Sequence, residues 1–328
     1  MKIGIDIRPL YLPDMKGIGI YLNNLLPWMG RINTKNEYML YYDQRQTNVH
    51  RKPQGDNFKE RGISIPKGDT LYFWEQWLLP QRIKADGIDL FHSPANTVPL
   101  QKKCRHAVTI HDTKPFETKP KNLTDKIYTQ WIQSYALKKA DLVICPSEFT
   151  KKCVASCLKI EEKKITVIYN GISDKFKVLE NKDKSRKVSD RFGVKKDFIL
   201  SIGGETPLKN ISNLLSSFAI LKKKKKINEQ LIITGIRNRS IFEKHKNEIH
   251  ALDIEGEVLL LGYVEENDLI ALYNEAKVFI YPSLFEGFGF PPLEAMACGV
   301  PVAASDATSI PEVTGDAAIL FNGKVLCI

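Results

Sequence analysis

Short apolar runs alternate with longer amphipathic stretches along the chain, and the runs are of a length that suits buried strands rather than helices. A first series comprises Lys2 to Ile7, Tyr38 to Tyr42, Leu90 to His92, Ala107 to His111, Leu142 to Pro146 and Ile165 to Tyr169. A second comprises Phe198 to Ile202, Leu231 to Thr234, Glu257 to Leu261, Val278 to Tyr281 and Val300 to Ala304. Strands that alternate with helices predict parallel sheets, so the chain reads as α/β twice over. Between the series, Ser173 to Lys196 is rich in lysine and aspartate with little apolar periodicity, which predicts a linker followed by a short surface element. The expected division is a doubly wound, Rossmann-like domain over 1–172, a linker over 173–196 and a second such domain over 197–328. In open sheets of this kind ligands bind beyond the carboxyl ends of the strands, so the loops that follow strands are where chemistry is expected.

Length agrees with two domains, because single cores seldom grow beyond about 250–300 residues and the chain has 328. At 43% hydrophobic and 26% charged it has the composition of an ordinary globular protein. No apolar run reaches the ~18 residues of a membrane-spanning helix, and the first residues form a strand rather than a signal peptide, which predicts a cytoplasmic protein. Six cysteines at 104, 145, 153, 157, 298 and 327 contain no C-x-x-C pair, several of them in apolar strand or helix patterns, and read as buried thiols of a reducing compartment. Cys153 and Cys157 share a helix face, but no histidine partner lies near them in the sequence and no zinc signature accompanies them.

The net charge of +10 is concentrated in the first part of the chain, where residues 1–200 carry 36 Lys/Arg against 22 Asp/Glu. That asymmetry suits peripheral contact with anionic lipid headgroups or a phosphorylated acceptor, and it equally fits a lysine-rich surface with no partner. Nucleic acid is disfavoured because no recognised module or aromatic-plus-basic pattern accompanies the charge. The lysine run 222–226 reads as a solvated helix end.

The most informative stretch is Phe285-Glu286-Gly287-Phe288-Gly289-Phe290-Pro291-Pro292-Leu293-Glu294-Ala295-Met296-Ala297-Cys298-Gly299. It follows the buried run Val278 to Tyr281, so Glu286 is expected in a loop at a strand's carboxyl end. Gly287 and Gly289 let the backbone approach a ligand closely. Pro291 and Pro292 suit the first turn of a helix, which places Glu294 there, and Gly299 ends it. A helix N-terminus attracts phosphate, and a nearby carboxylate accepts hydrogen bonds from sugar hydroxyls, so these parts fit a sugar nucleotide. Taken singly, Glu294 could only complement the helix dipole and Glu286 could be a solvated loop residue.

Other strand-end loops carry candidate groups. After the first strand a long loop ends in Gly17-Ile18-Gly19, whose amides can meet a diphosphate ahead of a helix over Tyr21 to Trp28. A dinucleotide-binding fingerprint would need a third glycine where Leu22 stands, which disfavours a dehydrogenase. His111 and His92 each stand at a strand tip, where structural hydrogen bonding is the commoner role. Lys209 follows the Gly203-Gly204 loop near a helix start, where a fixed cation could neutralise a leaving diphosphate.

The string from Phe285 to Val302 resembles the E-x7-E signature of the retaining glycosyltransferases of family 4, which have the GT-B fold. The resemblance extends over nearly the whole chain, including Ala140 to Phe149 and Val167 to Ile172, and is closest to the mannosyltransferase-like branch that builds surface polysaccharides. It implies two Rossmann-like domains facing across a cleft, and transfer of a hexose from a nucleotide diphosphate sugar, GDP-mannose being the expected donor, to a saccharide or lipid-linked acceptor. It implies no metal and no further cofactor. By this resemblance Glu286 binds donor sugar hydroxyls, with Gly287, Phe288 and Gly289 around it, and Glu294 binds the ribose. Lys209 with Gly17 and Gly19 meets the diphosphate, His111 lies near the anomeric carbon with His92 in the neighbouring loop, and Tyr263 and Val264 lie near the base. Relatives carry arginines where this chain has Gly204 and Leu208. They also continue past the segment like Ala318 to Asn322 with further helices, so a shortened, inactive nucleotide-sugar-binding protein is the alternative expectation. Epimerisation or phosphorolysis on the same fold is a third.

Overall fold

The computed structural model describes residues 1–11, 17–45, 55–65, 71–117, 123, 126–180 and 182–325. Two compact units divide the chain between Gly171 and Ile172. In the first, seven strands are β1 (Lys2–Asp6), β2 (Glu37–Asp43), β3 (Phe58–Ile63), β4 (Leu90–Ser93), β5 (Arg105–Thr109), β6 (Leu142–Cys145) and β7 (Ile165–Val167). They lie in the order β3-β2-β1-β4-β5-β6-β7, every pairing parallel. The second unit has six: β8 (Phe198–Ile202), β9 (Gln230–Thr234), β10 (Val258–Gly262), β11 (Val278–Tyr281), β12 (Val302–Ser305) and β13 (Ala318–Phe321). Their order is β10-β9-β8-β11-β12-β13, again parallel throughout.

Parallel strands are covered on both faces, so their residues are apolar without strict alternation. Ile5, Leu40, Phe91 and Val108 in the first sheet and Leu200, Ile232 and Phe279 in the second are fully buried. This is why the central strands are plain in the sequence. The edge strand β3, with the polar sequence FKERGI, is mostly solvated and carries no such run. In each sheet the strand order reverses once, between β1 and β4 and between β8 and β11, and a doubly wound sheet opens a ligand crevice at that switch point.

The stretch 173–196, expected as a linker, packs within the second unit. Phe176 is buried in its core, with Leu179, Phe192 and Val194 packed against that core. Leu179 N donates to Asn274 Oδ1 at 2.8 Å, Asn274 Nδ2 donates to Lys177 O at 3.1 Å, and Lys175 pairs with Glu266. Both partners, Asn274 and Glu266, belong to the helix Glu266–Glu275. The apolar anchors are spread singly among charged residues, so no period marks them. Among the described residues no helix is long and apolar enough to cross a membrane.

Phe176→Ala should lower the stability of the second unit by about 3 kcal/mol, the usual cost of emptying a buried phenylalanine site. Urea unfolding followed by fluorescence checks this, and an unchanged midpoint would mean that the stretch is a tether after all.

Candidate active site

At the β8/β11 switch point two loops meet. The first leaves β8 through Gly203 and Gly204 and ends in the short turn Pro207–Lys209, closed by Asn210 in the left-handed region at φ 60°. Gly203 is required there, since a Cβ would stand 2.8 Å from Ile236 Cγ1. The second leaves β11 through Pro282 and Ser283 to Glu286. Leu284 N donates to Leu208 O at 2.7 Å, and Asn210 Nδ2 donates to Pro282 O at 3.1 Å.

So fastened, the loops bring Lys209 onto Glu286. Glu286 Oε1 accepts from Lys209 Nζ at 2.7 Å, Tyr281 OH at 2.7 Å and Ser283 Oγ at 2.6 Å. Lys209 Nζ also donates to Tyr281 OH at 2.8 Å. The two side chains keep 24% and 17% of their surface, enough for a ligand to reach. Burial and then the Glu286 charge push the Tyr281 hydroxyl well above the usual phenol range, so it stays a donor. The loop after β12 holds the Glu286 backbone. Glu286 N donates to Thr308 Oγ1 at 3.0 Å, and the Ser309 hydroxyl lies between the carbonyls of Glu286 and Phe288, 2.9 and 2.8 Å away, sharing its one proton with them.

The helix that follows is Phe290–Ala297, entered through Gly289 at φ 109°, a conformation that disfavours any side chain. Phe288 is buried and meets Phe290 edge to face at 5.5 Å. Pro291 and Pro292 have no N–H, so the donors at this helix end are the amides of Gly289 and Phe290. Glu294 is the fifth helical residue rather than a first-turn one, and it is buried at 7% exposure. Its Oε2 accepts from Tyr273 OH at 3.3 Å. Burial, reinforced by the charge of Glu266, pushes its carboxyl up to about 7.

Tyr263 is exposed beneath the Arg237 guanidinium, which stands 3.6 Å from the ring centroid, while Val264 is buried in the core. Val264 therefore contributes packing, and of the two residues expected near a base Tyr263 is the one with surface to offer. Glu205 Oε1 accepts from the amides of Arg237 and Asn238 at 3.0 and 3.2 Å, tying the β8 and β9 loops together.

In the first unit the switch-point groups are histidines. His92 Nε2 lies 2.9 Å from Thr109 Oγ1, and Tyr21 OH reaches the same hydroxyl at 3.3 Å. His111 Nε2 donates to Pro94 O at 2.9 Å, its amide donates to Asn96 Oδ1 at 2.7 Å, and its ring meets Tyr21 edge to face at 4.9 Å. Burial lowers both imidazoles to about 4, so they are neutral near pH 7. With the proton on Nε2, His111 keeps Nδ1 as an acceptor. Gly17 and Gly19 stand in the first turn of the helix Gly17–Ile32, which begins four residues before Tyr21, where the sequence suggested it would open. The rest of the preceding loop, residues 12–16, lies outside the described residues.

Sequence reasoning did not single out Tyr281, Ser283, Thr308 and Ser309. The polar cluster Ser305-Asp306-Ala307-Thr308-Ser309 directly after a buried strand was the available signal. The expectation of buried thiols holds for Cys145 and Cys298, each pushed up to about 12 by burial, whereas Cys157 is exposed and Cys327 lies outside the described residues.

Residues 16–176 match the family described as Glycosyltransferase Family 4, and residues 181–325 match Glycosyl transferases group 1. The O-antigen chain mannosyltransferase B of Escherichia coli is 30% identical over 98% of this chain and 87% of its own length. The chain belongs to this glycosyltransferase family. The serotype-specific mannosyltransferase WbdA of Escherichia coli is 28% identical over 70% of the chain, which spans about 28% of that much longer relative. Sucrose-phosphate synthase from Thermosynechococcus elongatus superposes with a TM-score of 0.75 at 16% identity, over 99% of this chain and 86% of that chain, a likeness of fold. The fold class is GT-B, built from two parallel-sheet α/β units.

Because burial raises the folded-state pKa of Glu294 above its unfolded value, its contribution to stability is fully present below about 4.5 and is lost as pH rises through about 7. Glu294→Gln, which cannot ionise, should be more stable than the parent at pH 8 by up to about 3 kcal/mol and nearly equal to it at pH 5. Urea midpoints at the two pH values test this; a variant that is less stable at pH 8 would contradict it.

Proposed function

We propose that the chain is a retaining, metal-independent hexosyltransferase that moves mannose from GDP-mannose to a saccharide or lipid-linked acceptor in surface polysaccharide synthesis. The observation that carries this reading is the Glu286 carboxylate, fixed by three donors beside the Lys209 ammonium at the β8/β11 switch point. The mannosyltransferase relatives support the choice of sugar. Cytoplasmic placement follows from the donor class, and the basic excess of residues 1–200 supports peripheral contact with anionic membrane.

In this reading the domains divide the work. The second unit holds the donor, and the first supplies the acceptor side. Glu286 accepts hydrogen bonds from sugar hydroxyls, assisted by the backbone of Gly287, Phe288 and Gly289. Glu294 accepts from the ribose, Tyr263 lies against the base, and Lys209 with the amides of Gly17 and Gly19 meets the diphosphate. His111, neutral, offers an acceptor near the reacting carbon. The bond from the anomeric carbon to the diphosphate oxygen breaks, the acceptor oxygen bonds on the same face, and the acceptor proton passes to the departing phosphate oxygen. Rate then comes from orientation and from cationic stabilisation of the leaving charge. Nucleotide-sugar binding without transfer is the second reading, favoured by Gly204 and Leu208, which leave Lys209 without a cationic neighbour in its loop.

Glu286→Ala should lower GDP release from GDP-mannose by about 10²–10³-fold, the scale on which a lost pre-organised polar group is felt, while circular dichroism shows that the variant remains folded. Parent-like turnover would sink the assignment. Among GDP, UDP, ADP and dTDP, GDP should give the largest thermal shift, worth about 2.7 kcal/mol at a hundred times its dissociation constant. A larger shift with another nucleotide would replace the base, and no shift with any would leave the donor reading without support.

A further inference from the structure

Five of the large apolar side chains that remain in water stand on two neighbouring helical stretches of the first unit, 71–85 and 126–139. Phe73, Trp77, Ile127, Trp131 and Tyr135 are 42, 52, 48, 70 and 53% exposed. The stretches are fastened to each other by their inward residues. Tyr72 and Tyr128 stack with centroids 3.8 Å apart, and the buried Glu75 accepts from Tyr128 OH at 2.8 Å and from Gln133 Nε2 at 2.7 Å. Glu75 also pairs with Arg8 at 2.8 Å. Packing thus uses the inward residues and leaves the others bare: Phe73 and Trp77 lie one turn apart with nearly parallel rings, and Ile127, Trp131 and Tyr135 recur every fourth position.

Charge identifies the occupant. Glu75 is the only acid among the described residues of the two stretches, and it is buried. The exposed charged side chains are Arg82, Lys84, Lys126, Lys138 and Lys139, all basic, with Lys139 Nζ 4.3 Å above the Tyr135 ring. A second copy of this face would set cation against cation. Tryptophan and tyrosine rings favour the boundary between headgroups and acyl chains, and clustered basic residues favour anionic lipid.

We propose that this face docks on an anionic phospholipid bilayer, with Trp77 and Trp131 entering at headgroup level and the basic side chains meeting lipid phosphates. This names the surface behind the general basic excess and does not depend on glycosyl transfer, since binding is read without donor or acceptor. The test is flotation of the full 328-residue chain with vesicles of phosphatidylcholine alone and of phosphatidylcholine mixed equally with phosphatidylglycerol. The parent should bind the mixed vesicles and not the neutral ones, and should dissociate as salt is raised. Trp77→Ser with Trp131→Ser, and separately Lys126→Ser with Lys138→Ser and Lys139→Ser, should each lower binding at least about tenfold, with circular dichroism and melting unchanged. The proposal is overturned if the parent ignores anionic vesicles, binds neutral ones equally well, or binds undiminished in the tryptophan variant. It is likewise overturned if sedimentation shows a dimer that the tryptophan variant dissolves, because a second copy would then cover the face.

Discussion

The ion pair between Lys209 and Glu286 is the contact around which the second unit's switch point is organised. Two charges brought partly out of water are tolerated when their remaining hydrogen-bonding capacity is met, and here Tyr281 and Ser283 supply the missing donors. The consequence is mechanical as well as electrostatic. Lys209 ends the β8 loop, Glu286 lies in the β11 loop, and Thr308 and Ser309 bring in the β12 loop, so three strand ends are held in one arrangement by short polar contacts. A ligand meeting this site finds the carboxylate already placed, and the ordering cost has been met by folding.

The first unit solves a different problem with the same topology. Its switch-point groups are imidazoles taken out of water, and burial keeps them neutral where exposure would leave them partly charged. A neutral histidine that donates to a backbone carbonyl is a directional acceptor with no net charge. Such a group orients a hydroxyl without attracting anions, a role complementary to that of the cation at Lys209.

Much of this was legible in the chain. Central strands of a parallel sheet are apolar on both faces, so runs such as Phe198 to Ile202 could be found directly, and the rule that ligands gather at strand carboxyl ends then pointed to Glu286, Lys209 and His111. What stayed hidden had physical reasons. The polar edge strand Phe58–Ile63 buries too little to leave a run, and the stretch 173–196 docks through single apolar residues scattered among charges. Val264 could not be told from Tyr263 by sequence, since neighbours at a strand exit point in opposite directions. The clamps from Thr308 and Ser309 act through backbone atoms of another loop, a pairing that only the fold reveals.

The buried carboxyl of Glu294 has a consequence for proton traffic. In the free chain it holds its proton until near neutrality, because the helix offers it little beyond the Tyr273 hydroxyl. Any ligand whose hydroxyls donate to that oxygen favours the ionised form, so such a ligand would enter as a proton leaves, and its grip would tighten as the medium becomes more alkaline. A residue that resembles a fixed anchor would thereby act as a small valve for protons, coupling occupancy of the helix end to the acidity of the surroundings.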